Sequence, residues 1–120
     1  RDRVMNDVVE KSNGESAFAF FTKEIQEGGL YLLDEPENSL SPMLQGELKA
    51  FLEDSARFYR CQFVISTHSP FLLAMKGAKI YNLDSIPVQP CRWTELEHVR
   101  VYWKFFQDHE EEFKDGAPPF

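Results

Sequence analysis

The sequence predicts a layered α/β fold with a mainly parallel sheet, and three observations predict it. Short apolar or β-rich runs alternate with segments of helical period, the run Leu30 to Leu33 is apolar at every position, and the pair Ser41-Pro42 further along opens a helix. From Glu15, the residues Phe18, Phe21 and Ile25 recur at three and four positions on one helical face. Gly28-Gly29 stops that run, so a helix is expected over 15–27. Leu30 to Leu33, ending in Asp34-Glu35-Pro36, has the pattern of a parallel strand buried on both faces.

Ser41 offers a capping hydroxyl and Pro42 a preset first helical position, and Leu44, Leu48, Phe51 and Leu52 then share a face, so a second helix is expected over 42–59. Gln62 to Ser66 reads as a second strand, Thr67 to Pro70 as a loop, and Phe71 to Met75 as a short helical turn or two. Lys79 to Leu83 alternates as a third strand, and Pro87 and Pro90 break the next stretch, leaving room for an edge strand around Val88. Thr94 with Glu97 forms a capping box for a last helix, whose stripe Leu96, Val99, Trp103 and Phe106 runs to about Phe113. Gly116 to Pro119 ends it, and neither an internal repeat nor a second domain is visible.

At 120 residues, with 42% hydrophobic and 14% aromatic content, the chain can bury one modest core and is not of disordered composition. A net charge of −7 argues against a basic track for nucleic acid on this segment. The acidic run Asp108 to Glu112 reads as a solvated helix face rather than a metal site. Cys61 and Cys91 have no CxxC or Cys/His spacing and read as buried or half-buried thiols. No apolar run is long enough for a bilayer and no basic-then-apolar leader opens the chain, so a cytoplasmic location with no membrane partner is expected. The opening Arg1 and the charged stretch to Lys11 read as the inside of a longer protein.

The chemistry concentrates at one expected sheet edge. Asp34 and Glu35 are two adjacent carboxylates at the C-terminal end of a hydrophobic strand, where open α/β sheets place their ligands. One can hold Mg²⁺ through water while its neighbour orients or deprotonates an attacking water. A second strand ends in Ser66-Thr67-His68-Ser69-Pro70, which brings a histidine to the same edge. Upstream, Ser12-Asn13-Gly14-Glu15 opens a helix with a hydroxyl, a permissive glycine and unpaired backbone N–H groups, an anion-binding arrangement. The three occur in a fixed order, which carries more weight than any one of them.

Glu10 to Tyr81 resembles the C-terminal portion of a soluble ABC-type ATPase, the branch of P-loop NTPases that includes SMC and RecF-like ATPases and many small bacterial "AAA family" ATPases. Ser12 to Glu15 resembles the ABC signature, Leu30 to Glu35 Walker B, Pro36 to Pro42 the D-loop and His68 the switch histidine. The helix from Thr94 to His98 resembles the closing helix of the small ATPases. The resemblance implies ATP and Mg²⁺ as cofactors, with Mg²⁺ held by Asp34, Glu35 as general base, and His68 on the γ-phosphate. Ser12, Gly14 and Glu15 would act in trans on nucleotide held by the other subunit of an ATP-bridged homodimer, and Asn38, Ser39 and Ser41 would lie in the D-loop.

The signature has Asn13 where the family usually has a glycine, and no GxxxxGK[ST] occurs in the chain. Residues 1–120 therefore read as the C-terminal part of one ATPase domain, a half-domain whose partner would be an N-terminal half carrying Walker A. Family analogy couples turnover to DNA repair, chromosome maintenance or anti-phage defence, with DNA or an effector protein as a further partner. Two other readings compete: an inactive dimerisation or regulatory module of the same fold, and a metal-dependent nuclease using Asp34, Glu35 and Asp84. Asp34, Glu35 and His68 together count against an inactive module, and no motif surrounds Asp84.

Overall fold

The computed structural model describes residue 19 and residues 22–120. Contacts within the chain divide it into two compact units, Arg1–Ala78 and Lys79–Phe120, each described by itself.

In the first unit, Ala19 and Thr22 to Glu24 are helical, and the other residues of the expected first helix up to Phe21 lie outside the described residues. The helix ends at Glu24 rather than 27 because the Tyr31 hydroxyl engages the backbone of Gln26. It accepts from Gln26 N–H at 2.6 Å and lies 3.3 Å from the Gln26 carbonyl as donor. The turn that follows needs its glycines for different reasons. Gly28 has φ +74°, and its N–H donates to the Tyr59 carbonyl at 2.8 Å. At Gly29 a Cβ would stand 2.3 Å from the Tyr31 ring. That ring is 1% exposed and stacks on Phe63 at 5.6 Å, so it has little freedom to retreat.

Strand β1 (Leu30–Asp34), helix α1 (Pro42–Phe58) and strand β2 (Gln62–Ser66) follow, and the two strands pair in parallel from Leu30↔Gln62 to Asp34↔Ser66. The α/β class and the short parallel sheet are as expected. Ser41 caps α1, its hydroxyl accepting from Leu44 N–H at 3.2 Å with Pro42 in the first turn. Ser69-Pro70 repeats the device for the single turn α2 (Pro70–Leu73), the Ser69 hydroxyl accepting from Leu72 N–H at 3.3 Å. Tyr31, Leu33, Leu48, Leu52, Cys61 and Leu72 form the core between the sheet and these helices. Cys61 is buried there as a free thiol 3.2 Å from the Gln26 carbonyl.

Glu53 ties α1 to the segment after α2, accepting from Lys76 N–H at 2.7 Å and pairing with Lys49 at 3.2 Å. Burial pushes its carboxyl up, but these two partners outweigh it and hold the group below the usual glutamate range.

Burial of β1 on both faces does not hold. Leu30 is 58% exposed and Leu32 52%, as is Val64 of β2 at 56%, while Tyr31 and Leu33 point into the core. The described helices of this unit cover one face of the sheet only, which leaves alternate residues of both strands in solvent.

In the second unit the expected third strand forms, as β3 (Ile80–Asn82), but it does not extend the parallel sheet. It pairs antiparallel with β4 (Gln89–Cys91), because the connection from Asn82 to Gln89 suits a hairpin and is too short for a crossover. Pro90, opposite Tyr81, is tolerated because a two-stranded ribbon is all edge.

Helix α3 (Glu97–Asp108) starts at the uncapped Leu96 rather than from a Thr94/Glu97 box. A 3₁₀ turn, Trp93–Glu95, takes that place, with the Glu95 carboxylate accepting from Arg92 N–H at 2.8 Å. Leu96 and Val99 are buried, whereas Trp103 and Phe106 of the expected stripe are exposed. The helix gives way to a second 3₁₀ turn, Glu110–Phe113. The acidic run is exposed and partly paired, Asp108 with Lys104 at 3.0 Å and Glu111 with Lys114 at 2.7 Å. Among the described residues, no helix is long and apolar enough to cross a membrane.

Candidate functional site

The parallel register of β1 and β2 brings Asp34 and Ser66 side by side at the C-terminal edge of the sheet. Both loops that leave this edge carry residues singled out above. Glu35 N–H still donates to the Ser66 carbonyl at 2.7 Å, which carries the ladder one residue past β1 and fixes where the turn begins. At Glu35 the backbone enters the left-handed region, φ +46°, which costs a non-glycine residue on the order of 1 kcal/mol. Pro36 is fully buried beneath it.

This turn delivers the Glu35 carboxylate to His68, with Oε1 3.1 Å from Nδ1. The two side chains are 40% and 77% exposed, and an ion pair that exposed contributes only about 0–1 kcal/mol, so stability is a poor reason for it. A carboxylate accepts, so in this contact the imidazole Nδ1 is the donor. Asp34 is exposed at the end of β1. Among the described residues, no group of three or more His, Cys, Asp or Glu is placed to hold a metal ion. A single exposed carboxylate fits a hydrated Mg²⁺, which takes one or two carboxylates and completes its shell with water and phosphate oxygens.

The stretch after Glu35 is a tight turn. Asn38 N–H donates to the Glu35 carbonyl at 3.1 Å and Leu40 N–H to the Glu37 carbonyl at 2.9 Å, and Ser39 takes φ +70°. Asn38 and Ser39 are exposed, while the Ser41 hydroxyl serves the cap of α1. Ser12, Gly14 and Glu15 lie outside the described residues. Asp84 belongs to the second unit, where its N–H donates to the Asn82 side chain at 3.0 Å.

Sequence reading passed over Glu37. Its carboxylate accepts from the Thr67 hydroxyl at 2.6 Å and from His68 N–H at 3.2 Å, joining the two loops of the site. The signal was present as a third carboxylate in Asp34-Glu35-Pro36-Glu37, but spacing alone does not tell a loop tie from a solvated acid.

A family model described as "AAA domain, putative AbiEii toxin, Type IV TA system" matches residues 6–74, more than half of the chain. The chain belongs to this AAA family. The match to the AAA domain covers Asp34, Glu35, Glu37 and His68 and stops at the end of α2, close to the boundary of the first unit at Ala78. The site thus lies wholly within the family segment of an AAA-type, P-loop NTPase-like domain, and the α/β unit with its parallel strands is compatible with that class. No curated protein matches the chain.

Proposed function

We propose that this chain supplies the carboxylate and histidine side of an ATP-hydrolysing site of the ABC type, in the SMC and RecF-like branch. The observation that carries the reading is the 3.1 Å contact of Glu35 and His68, from two different strand ends, at the C-terminal edge of a parallel sheet. Glu35 takes or orients the proton of the attacking water, and Asp34 holds the hydrated Mg²⁺ that offsets charge on the phosphates. His68, its ring oriented by Glu35, meets the γ-phosphate through Nε2.

The sequence lacks a GxxxxGK[ST] loop, so the phosphate cradle comes from a polypeptide outside these 120 residues. In an ATP-bridged dimer, Ser12, Gly14 and Glu15 of each subunit act on the nucleotide of the other, and Asn38, Ser39 and Ser41 line the junction between them. The location is cytoplasmic. Among DNA repair, chromosome maintenance and anti-phage defence, the family's description as a toxin of a TA system supports a defensive role, exerted through an effector protein or DNA.

Steady-state phosphate release by the full-length protein carrying His68→Ala tests the reading. Turnover is expected to fall on the order of 10²-fold, the range for losing one group that stabilises transition-state charge. The thermal midpoint should stay in place, because the side chain is exposed. A variant that unfolds while its soluble fraction keeps full specific activity would make His68 a structural residue.

A further inference from the structure

Two loops must hold still if Glu35 and His68 are to keep their mutual geometry, and the connection between them converges on one side chain. We infer that Glu37 is a positioning residue that clamps the Thr67-His68 turn onto the loop after β1 and so sets the direction of the His68 ring toward Glu35. The inference rests on the proposed hydrolytic role of that pair.

Glu37 is half-buried, and both of its carboxylate oxygens are used across the gap between the loops. Oε1 accepts from the Thr67 hydroxyl at 2.6 Å, and Oε2 accepts from His68 N–H at 3.2 Å. The first is short, as expected when a hydroxyl donates to an ionised acceptor. The second acts on the backbone of His68 itself.

Thr67 is committed in both directions. Its one proton goes to Glu37, and its oxygen accepts from Ser69 N–H at 3.0 Å. The Ser69 hydroxyl donates to Gln45 Oε1 at 2.7 Å, and Gln45 Nε2 donates to the Leu40 carbonyl at 3.0 Å. A closed circuit therefore runs from the loop after β1, through Thr67 and Ser69, to the first turn of α1 and back to Leu40. Every side chain in it except Glu37 is neutral, so Glu37 supplies the charge-assisted bonds that hold the circuit shut.

The test pairs kinetics with a direct observation of the histidine, both on the full-length protein. Glu37→Ala and Thr67→Val should each lower kcat by 10- to 100-fold, on the order expected when a reacting group is misplaced by about 1 Å, with KM for Mg-ATP little changed. The double variant should be no slower than the worse single one, because both break one circuit. Thr67→Ser, which keeps the donor and the acceptor, should retain most of the turnover. In parallel, the imidazole nitrogen resonances of His68, assigned by their loss in His68→Ala, should shift in Glu37→Ala and Thr67→Val and stay in place in Thr67→Ser. An unmoved His68 resonance in Glu37→Ala overturns the inference whatever the turnover. So does equal damage from Thr67→Ser and Thr67→Val accompanied by a lowered thermal midpoint, which would make the circuit a stability element only. A shifted resonance in a protein whose wild type hydrolyses no ATP supports the clamp and overturns the hydrolytic reading instead.

Discussion

Glu35→Gln in the full-length protein is expected to leave Mg-ATP binding intact and to cut turnover by on the order of 10²–10⁴, the range for a positioned general base. The substitution keeps the size and one acceptor oxygen of the side chain, so the contact with His68 can persist while the capacity to take a proton is lost. The left-handed backbone at Glu35 is also preserved, since glutamine meets it with the same Cβ. If the proposed ATP-bridged dimer forms, unhydrolysed nucleotide should accumulate in it, detectable as a larger species by light scattering in Mg-ATP. Turnover unchanged from wild type would remove Glu35 from the chemistry.

The second large effect concerns the 120 residues alone. A nucleoside triphosphate is held chiefly by backbone N–H groups and a lysine of the phosphate loop, with Mg²⁺ bridging the β- and γ-oxygens. The sequence has no such loop, and Asp34 with its neighbour is a weak hold on a hydrated ion. The isolated chain should therefore neither hydrolyse ATP nor bind Mg-ATP at micromolar concentration.

Both should return when a polypeptide carrying the GxxxxGK[ST] loop is added and pairs with the sheet. Parallel sheets are normally covered on both faces, whereas here Leu30, Leu32 and Val64 stand in solvent. Calorimetric titration with Mg-ATP checks this. One nucleotide per isolated chain with a micromolar dissociation constant would place the phosphates somewhere other than this edge.

What was legible in the sequence was local. Ser41-Pro42 named the start of α1 because a capping hydroxyl and a preset φ act within one turn. Leu30 to Leu33 showed a strand because four consecutive apolar residues leave few alternatives. The α/β class followed from their order. What failed depended on contacts that hydrophobic period and capping patterns do not report. The first helix stops early because Tyr31 reaches back to Gln26, and nothing in the helical period reports that. Thr94 loses the cap because Glu95 satisfies Arg92 N–H first, a competition between neighbours that both fit a capping pattern. The third strand was visible, but its partner was set by the length of the connection that follows. Asp34, Glu35 and His68 could be singled out by their places at strand ends, yet the tie through Glu37 needed the register of β1 against β2.

The central claim is that Glu35 and His68 work as one hydrolytic unit, and a double-mutant cycle on kcat tests it most directly. Phosphate release would be measured at saturating Mg-ATP for the full-length wild type, Glu35→Gln, His68→Ala and the double variant. Groups that act together on one reacting centre are strongly non-additive, so the double variant should be about as slow as Glu35→Gln alone. Losses that simply multiply, or a Glu35→Gln rate equal to wild type, would contradict the account.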